Sequence, residues 1–197
     1  MKKLLLHVCC APCSIEPLKV LLDEGFKVTL YYSNSNMINI GEFNRRLDTL
    51  YYYAKKINIP VYVDDYDPLA WLGVVNQHLE ERCRYCYRQR IRRAAEFAKS
   101  NSFDYIASSL AVSIYQKFDI LAQEIQAAAN ENDLIAVNYD YRPLYKEGQQ
   151  LSMDLGMYRQ KFCGCKYSFL ESFDFRFRRE IFKTAKKRRN QLKSVKQ

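Results

Sequence analysis

Seven cysteines are the residues of this 197-residue chain whose type and spacing could do chemistry. They occur in three groups: Cys9-Cys10-Ala-Pro-Cys13, Cys83-Arg-Tyr-Cys86 and Cys163-Gly-Cys165. In a reducing compartment such close groups favour metal binding or thiol redox chemistry over a disulfide framework, and an odd count excludes complete pairing within the chain. The residues alone leave three alternatives open: an iron–sulfur cluster, a structural zinc ion and a thiol–disulfide site.

The first two groups make different geometric demands. Cys83 and Cys86 have a spacing that lets two thiolates reach one metal, and the N-terminus of a following helix favours the thiolate form. Cys9 and Cys10 are adjacent, so on an extended segment their side chains point to opposite sides. Both can serve one cofactor only if the chain turns sharply there, and Cys13 can then reach back to either.

Other chemistry-bearing residues are few. His7 precedes the first cysteine group, and we expect it to be bonded within the protein rather than to a metal. The chain has no Gly-x-Gly-x-x-Gly, Walker or Ser-Gly-Gly-x-Asp-Ser loop, so a nucleotide-consuming reaction is not predicted. Electron transfer through metal or thiols fits better.

The elements that position these residues alternate between strand and helix patterns. Predicted strands cover residues 4–8, 26–32, 59–63, 103–108 and 134–138, and predicted helices cover residues 14–22, 42–56, 87–99, 116–130 and 149–158. Strands separated by long helices predict an α/β fold, with a mostly parallel, Rossmann-like sheet flanked by helices.

Polar and thiol residues follow the predicted strands. Ligands of such sheets bind outside the carboxyl ends of the strands. We therefore expect residues 9–13, 34–36, 64–65 and 108–109 at one edge of the sheet. If the other two cysteine groups fold over this edge, the thiols converge on one pocket.

Charge is concentrated at the C-terminus. Residues 175–197 hold ten Lys or Arg and one Glu, which accounts for the whole net charge of +9. We predict a single α/β catalytic domain over residues 1–174, followed by a basic C-terminal helix or tail over 175–197 that is either solvated or bound to an acidic partner such as RNA.

A second basic feature surrounds the second cysteine group. Six arginines share this region with Tyr85 and Tyr87: Arg82, Arg84, Arg88, Arg90, Arg92 and Arg93. Arginine with aromatic rings suits RNA phosphates and bases, and a solvated helix face is an equal alternative.

The composition, 48% apolar and 27% charged, excludes a mainly disordered chain. No stretch approaches the roughly 18 apolar residues that a membrane-spanning helix needs. Lys2-Lys3 and the leucines that follow resemble the start of a signal peptide, but the apolar run ends at once. We expect a first strand there and a soluble, cytoplasmic protein.

Several motifs in order make the sequence resemble the QueH family, the cobalamin-independent epoxyqueuosine reductases, over about residues 1–170. They are Leu-His-Val-Cys-Cys-Ala-Pro-Cys at 6–13, Asn-Ser-Asn at 34–36, Glu-Phe-Asn-Arg-Arg-Leu at 42–47, Arg-Cys-Arg-Tyr-Cys-Tyr-Arg at 82–88, Ser-Ser-Leu-Ala-Val-Ser-Ile-Tyr-Gln-Lys at 108–117, Asp-Tyr-Arg at 140–142 and Met-Tyr-Arg-Gln-Lys-Phe-Cys-Gly-Cys at 157–165. The resemblance implies an enzyme that uses a [4Fe-4S] cluster and an adjacent iron ion. Its substrate would be tRNA carrying epoxyqueuosine at the anticodon wobble position, which it reduces to queuosine with an external electron donor that the sequence does not identify.

Site residues follow from the resemblance by position. The implied cluster ligands are Cys9, Cys10, Cys83 and Cys86, with Cys13 as a catalytic ligand of the adjacent iron. Cys163 and Cys165 are a redox pair or further ligands. Tyr115 or Asp64 is hypothesised to supply a proton. The implied substrate-binding residues are Asn34, Asn36, Arg46, Gln116, Arg142, Tyr158 and Arg159.

Two alternative functions remain. A structural zinc RNA-binding module would use the thiols only for folding. An iron–sulfur tRNA-thiolation enzyme would need an ATP phosphate loop, which this sequence lacks. The chain also departs from the family pattern at Ser35 and Ile114, where proline is expected, so loop rigidity or substrate contacts are predicted to differ there.

Overall fold

The computed structural model describes residues 2–175, which contain a five-stranded sheet. The strands are β1 (Lys2–His7), β2 (Phe26–Tyr32), β3 (Val61–Val63), β4 (Tyr105–Ser108) and β5 (Ile135–Ala136). Their order is β3-β2-β1-β4-β5, and every pair of neighbours is parallel. The predicted α/β fold with a Rossmann-like sheet is confirmed.

Helices connect and flank these strands. They are α1 (Ala11–Asp23), α2 (Ile40–Lys56), α3 (Pro68–Val75), α4 (Arg82–Ser100), α5 (Phe118–Glu131) and α6 (Tyr145–Asp154). From β1 the chain proceeds outward to β2 and β3, then returns to place β4 on the other side of β1. The direction of winding therefore reverses at β1, which is where open parallel sheets form their binding crevice.

β1 lies at the centre of the sheet and is covered on both faces. Leu4, Leu5 and Leu6 are fully buried. Leu4 and Leu6 pack with apolar residues of α1 and α2, whereas Leu5 packs with residues of α4 and α5. A continuous apolar run is typical of a parallel strand that is buried on both faces. The prediction of a first strand over this run is confirmed.

Three helix predictions need correction. Helix α1 begins at Ala11 rather than at residue 14, so Cys13 lies inside the helix. Helix α4 begins at Arg82 rather than at residue 87, so the second cysteine group lies inside the helix. The helix predicted over residues 149–158 is instead Tyr145–Asp154. Gly156 has a φ of +62°, a conformation that glycine adopts readily and that cannot continue a helix.

The chain divides into two compact units, Met1–Arg159 and Gln160–Gln197. In the second unit, residues 166–175 are helical. The predicted boundary after residue 174 coincides with the end of the described residues and stays a prediction. The basic helix or tail predicted over residues 175–197 lies outside them, apart from its first residue. Within residues 2–175, no helix is long and apolar enough to cross a membrane.

Candidate metal centre

Hydrogen bonds join the segments that follow four parallel strands. The hydroxyl of Ser33, after β2, donates to the Asp64 carboxylate, after β3, at 2.6 Å. The backbone N–H of Cys9, after β1, donates to the Ser109 hydroxyl, after β4, at 3.3 Å. The predicted gathering of these segments at the carboxyl edge of the sheet is confirmed.

The first cysteine group forms a compact cluster of sulfur atoms at this edge. The three Sγ atoms of Cys9, Cys10 and Cys13 lie within 4.8 Å of one another. Those of Cys9 and Cys10 are 3.8 Å apart. The chain bends at Cys9 and enters α1 at Ala11, which supplies the sharp turn that adjacent cysteines need to face one centre. Cys9 and Cys10 are buried, and Cys13 is half-buried.

Close packing and burial keep the thiols of this cluster protonated. The hydrogen bond with Cys10 raises the pKa of the Cys9 thiol to about 11, with burial adding to the shift and Cys13 and Arg90 opposing it. Hydrogen bonds to Cys10 and Cys9, together with burial, also raise the pKa of Cys13. Metal binding requires thiolates and releases their protons, so a metal ion would replace these protons. An all-sulfur donor set fits iron or zinc, both of which accept thiolate ligands.

The second cysteine group lies in the first two turns of α4. Cys86 is buried, whereas Cys83 is half-buried and packs against the apolar cluster that includes Cys9 and Cys10. Neither sulfur belongs to the group within 4.8 Å. The structure therefore brings three of the five thiols implied as metal ligands into one ligand sphere. The ligand roles of Cys83 and Cys86 stay predictions.

Arg90 is a buried residue of this site that the sequence reasoning placed on a possible RNA surface. Its Nε donates to the Ser33 carbonyl at 3.1 Å, and its Nη2 donates to Asn34 Oδ1. Its Nη1 lies 4.0 Å from Cys86 Sγ. The spacing gave a usable signal, because Arg90 follows Cys86 by four residues and Cys83 by seven and so shares their helix face.

Other arginines of α4 form ion pairs within the protein. The pairs are Arg84 and Arg88 with Glu124, Arg92 with Glu131, and Arg93 with Asp64. These contacts fix α4 against α5 and against the segment after β3. They favour the interpretation of this basic stretch as a structural helix face over that of an RNA surface.

His7 is bonded within the protein, as predicted. Its Nε2 lies 3.2 Å from the Ser33 carbonyl, which can only accept, so Nε2 carries the proton. Nδ1, at 2.9 Å from the Ser108 hydroxyl, is then the acceptor. Burial, and then the positive charge of Arg90, lower the pKa of His7 to about 3, so the ring is neutral near pH 7.

The two hypothesised proton sources have different environments. Burial acts to raise the pKa of Asp64, but hydrogen bonds from Arg93 and Ser33 outweigh it, so the net pKa is lowered. Tyr115 is 79% exposed and makes an edge contact with Tyr145, with ring centroids 6.1 Å apart. Burial raises the pKa of Tyr145, and the neighbouring Tyr115 and then Cys13 add to the rise. The sequence reasoning did not anticipate Tyr145.

Among the implied substrate-binding residues, Arg46 and Tyr158 meet at one carboxylate. The buried Arg46 pairs with Glu42 at 2.6 Å, and the Tyr158 hydroxyl donates to the same group at 2.8 Å. The Asn34 amide donates to the backbone carbonyl that precedes Cys9 at 2.9 Å. Arg46, Tyr158 and Asn34 thus make contacts within the protein that hold the residues of the site in position.

Asn36 differs from Asn34. Its side chain is 1% exposed, and neither of its amide atoms has a hydrogen-bond partner within residues 2–175. Buried amides that lack partners are costly, so this one is suited to a bound group. Neighbouring Ser35, where proline was expected, donates to the Asp65 carbonyl at 3.2 Å and ties this loop to the segment after β3.

The remaining implied substrate-binding residues lie towards the surface of the first unit. Arg142 pairs with Asp140 at 2.6 Å, and Gln116 accepts a hydrogen bond from the Tyr87 hydroxyl at 2.8 Å. Arg159 donates to a glutamine amide of α6 at 2.6 Å. Their substrate contacts stay predictions.

Cys163 and Cys165 belong to the second unit, where both are half-buried. The Ser168 backbone N–H donates to Cys165 Sγ at 3.4 Å, and the Ser168 hydroxyl accepts from the Gly164 N–H at 3.3 Å. Cys165 therefore caps the start of the helix over 166–175. Their role as a redox pair or as further metal ligands stays a prediction.

A doubly wound parallel sheet with a buried thiol cluster where the winding reverses defines an α/β protein built for metal or redox chemistry. The family model described as "Epoxyqueuosine reductase QueH" matches residues 4–171. The chain belongs to the QueH family, and its curated relatives carry the name of an oxidoreductase.

Three of these relatives illustrate the similarity. A protein of Dehalococcoides mccartyi is 30% identical over 87% of this chain and 94% of its own length. A protein of Haemophilus influenzae is 34% identical over 88% of this chain and 74% of its own length. A protein of Acinetobacter baylyi is 33% identical over 86% of this chain and 82% of its own length. All three are named epoxyqueuosine reductase QueH.

A solved structure shares the fold. It is that of a predicted subunit of a tRNA methyltransferase from Methanocaldococcus jannaschii, with a TM-score of 0.55 and 13% identity. The similarity covers 82% of this chain and 76% of that one. At this identity the comparison supports the architecture of the sheet and its helices.

Proposed function

We propose that this protein reduces epoxyqueuosine to queuosine at the anticodon wobble position of tRNA in the cytoplasm. The observation that carries the proposal is the buried cluster of Cys9, Cys10 and Cys13 at the carboxyl edge of the sheet, in a chain that belongs to the QueH family. The proposed cofactors are a [4Fe-4S] cluster, held by Cys9, Cys10, Cys83 and Cys86, and an adjacent iron ion held by Cys13.

The chemistry of the reaction matches this donor set. Deoxygenation adds two electrons and two protons to the epoxide, breaks both of its C–O bonds, forms a C=C bond and releases water. When bound, a cluster with a neighbouring iron supplies electrons and a Lewis acid, and the electrons originate from an external donor. Thiolate ligands suit both metal sites.

The protein's own side chains would hold the substrate and supply protons. Asp64 is a carboxylate near pH 7 because Arg93 and Ser33 stabilise its charged form. It therefore lacks the proton that a general acid needs, which favours Tyr115 of the two hypothesised donors. The buried amide of Asn36 is free, among the described residues, to bind a polar group of the substrate.

The test is anaerobic purification with iron, zinc and acid-labile sulfide analysis, followed by incubation of the reduced protein with epoxyqueuosine-tRNA. Nucleoside mass spectrometry should detect queuosine. One zinc ion with no queuosine would instead indicate the zinc RNA-binding module. A sulfur-containing nucleoside would indicate the tRNA-thiolation enzyme.

A Cys13→Ala variant tests the division of roles among the thiols. We expect it to lose turnover while it keeps most of the absorbance of the cluster, because Cys13 is assigned to the adjacent iron. Lys19→Ala changes an exposed residue of the same helix and is the matched control. Full activity of Cys13→Ala would contradict the assigned role.

A further inference from the structure

Arg90 is a buried cation in the metal centre, and the proposed function gives it no role. Only 2% of the residue is exposed. Removing a guanidinium from water is costly unless hydrogen bonds and nearby negative charge stabilise it. The burial of Arg90, one helical turn after Cys86, therefore requires hydrogen-bond acceptors or negative charge close to its guanidinium.

The hydrogen bonds of Arg90 connect the two cysteine groups of the first unit. From α4, its Nε and Nη2 reach the Ser33 carbonyl and Asn34 Oδ1, while Nη1 lies 4.0 Å from Cys86 Sγ. Asn34 in turn donates at 2.9 Å to the carbonyl of Val8, the residue before Cys9. A continuous path of polar contacts thus runs from one cysteine group to the backbone of the other.

The charge of Arg90 acts on both groups as well. Its Nη1 lies 4.0 Å from the Cys86 sulfur, and its field also opposes the rise in the pKa of Cys9. Opposite charges this close attract each other strongly in a protein interior, where the effective dielectric constant is well below that of water. A centre built from several thiolates is negatively charged, so a fixed positive charge at this distance stabilises it.

We propose that Arg90 is a positioning and charge-balancing residue of the metal centre. Its guanidinium sets the position of the Cys86 thiol relative to Cys9 and stabilises the negative charge of the thiolate–metal centre. The inference rests on the metal centre of the proposed function and is independent of the substrate.

The first experiment is an anaerobic titration of the metal-free protein with Co²⁺, which reports thiolate coordination by its charge-transfer absorbance. Arg90→Gln should lower the Co²⁺ affinity by about tenfold or more, the size of effect seen for residues that orient metal ligands. Arg90→Lys keeps the charge and should restore part of the affinity. Arg92→Gln removes an exposed cation of the same helix and should leave it unchanged.

The second experiment measures the reduction potential of the protein after anaerobic reconstitution with iron and sulfide. Loss of a nearby positive charge disfavours the addition of an electron, so Arg90→Gln should have a lower potential than wild type. Arg90→Lys should stay close to wild type. A merely structural residue would not produce this dependence on charge.

Two results would overturn the inference. One is a wild-type affinity and potential in Arg90→Gln. The other is an equal loss in the Gln and Lys variants that follows an equal fall in the unfolding temperature of the metal-free proteins. A wild-type protein that binds no Co²⁺ would overturn the metal centre and the role of Arg90 together. Failure to form queuosine, with the Arg90 effects intact, would count against the proposed function alone.

Discussion

Helices that carry the first-unit cysteines begin differently from α2 and α3. Asn39 caps α2 by accepting a hydrogen bond from the Glu42 N–H at 2.8 Å, and Asp67 caps α3 in the same way at 3.0 Å. At the starts of α1 and α4, neither N-cap residue makes a side-chain capping bond, and neither first turn contains an acidic residue.

A missing cap is not confined to these helices, since α5 and α6 also lack a side-chain cap, but among α1–α6 only α1 and α4 have cysteines at their starts. The first N–H groups of a helix are hydrogen-bond donors at the positive end of its dipole, and a side-chain cap normally satisfies them. In α1 the N-cap position is occupied by Cys10, and in α4 the first two turns hold Cys83 and Cys86. Both helix starts place sulfur near the positive end of a helix dipole, which acts against the rise in thiol pKa that close packing and burial cause at Cys9 and Cys13.

The largest effect is expected when Cys10, the N-cap residue of α1, is replaced. Cys10→Ala should reduce bound iron and sulfide by about tenfold or more and abolish queuosine formation, because it removes a thiol from the compact cluster. Anaerobic metal analysis and nucleoside mass spectrometry measure the two effects. Retention of a full complement of metal would contradict the ligand role of Cys10.

A second prediction concerns how α4 is held without a cap. Glu124 has a side chain that is 5% exposed and pairs with Arg84 and Arg88. Glu124→Gln should lower the free energy of unfolding of the metal-free protein by about 2 kcal/mol at pH 7, the range for hydrogen bonds to a buried charged group. Chemical denaturation measures it. Arg92→Gln, at an exposed pair, is the control.

The same pair predicts a pH dependence. Burial acts to raise the pKa of Glu124, but hydrogen bonds from Arg88 and Arg84 outweigh it, so the pKa is lowered in the folded protein. Its contribution is therefore complete above the unfolded-state pKa of about 4.3 and is lost as the pH falls through the folded-state value. The stability difference between wild type and Glu124→Gln should shrink on acidification below about pH 4. A constant difference down to pH 3 would be inconsistent with this role.

Removing the cap of α2 should lower stability and leave metal content unchanged, whereas Cys10→Ala should lower metal content. Asn39→Ala should lower the free energy of unfolding by about 1 kcal/mol, because an N–H of the first turn loses its partner. Metal content should be unchanged. A variant that unfolds as wild type but loses metal would break the distinction between the two kinds of helix start.

The smallest effect is expected at the exposed pair of Arg92 and Glu131, whose side chains are each 48% exposed. Arg92→Gln should change the free energy of unfolding by less than about 1 kcal/mol, and the change should diminish at high salt. Denaturation at two salt concentrations tests this. A larger loss would mean that α4 depends on its outer arginines as much as on Glu124.

Much of the fold could be predicted because the central strands contain runs of apolar residues, such as Leu4-Leu5-Leu6 in β1. The predicted strand over residues 26–32 coincides with β2, and the placement of Cys9 and Asn34 at the carboxyl edge follows from parallel strands alone. The bend at Cys9, which brings adjacent thiols together, depends on where the chain enters α1. The sequence could therefore only indicate that both thiols reach one centre if the chain turns sharply there.

The features of the site and fold that could not be predicted depend on tertiary contacts. Arg90 is buried, whereas the other arginines of this stretch are half-buried or exposed, and charge alone gives the same expectation for all of them. The early start of α4 is stabilised by pairs such as Arg84 with Glu124, which are 40 residues apart in the chain. In α6 the stop at Gly156 needed knowledge of the backbone angle at that glycine.

The central position of β1 determines when the thiol cluster is assembled. Its backbone pairs with strands on both sides, so its amides should exchange with solvent only on global unfolding, whereas the uncapped first turn of α4 can open locally. Cys9 and Cys10 are thus ordered by the folding of the sheet itself. We therefore expect metal binding at this cluster to cost little further conformational entropy, because folding of the chain has already fixed these two residues.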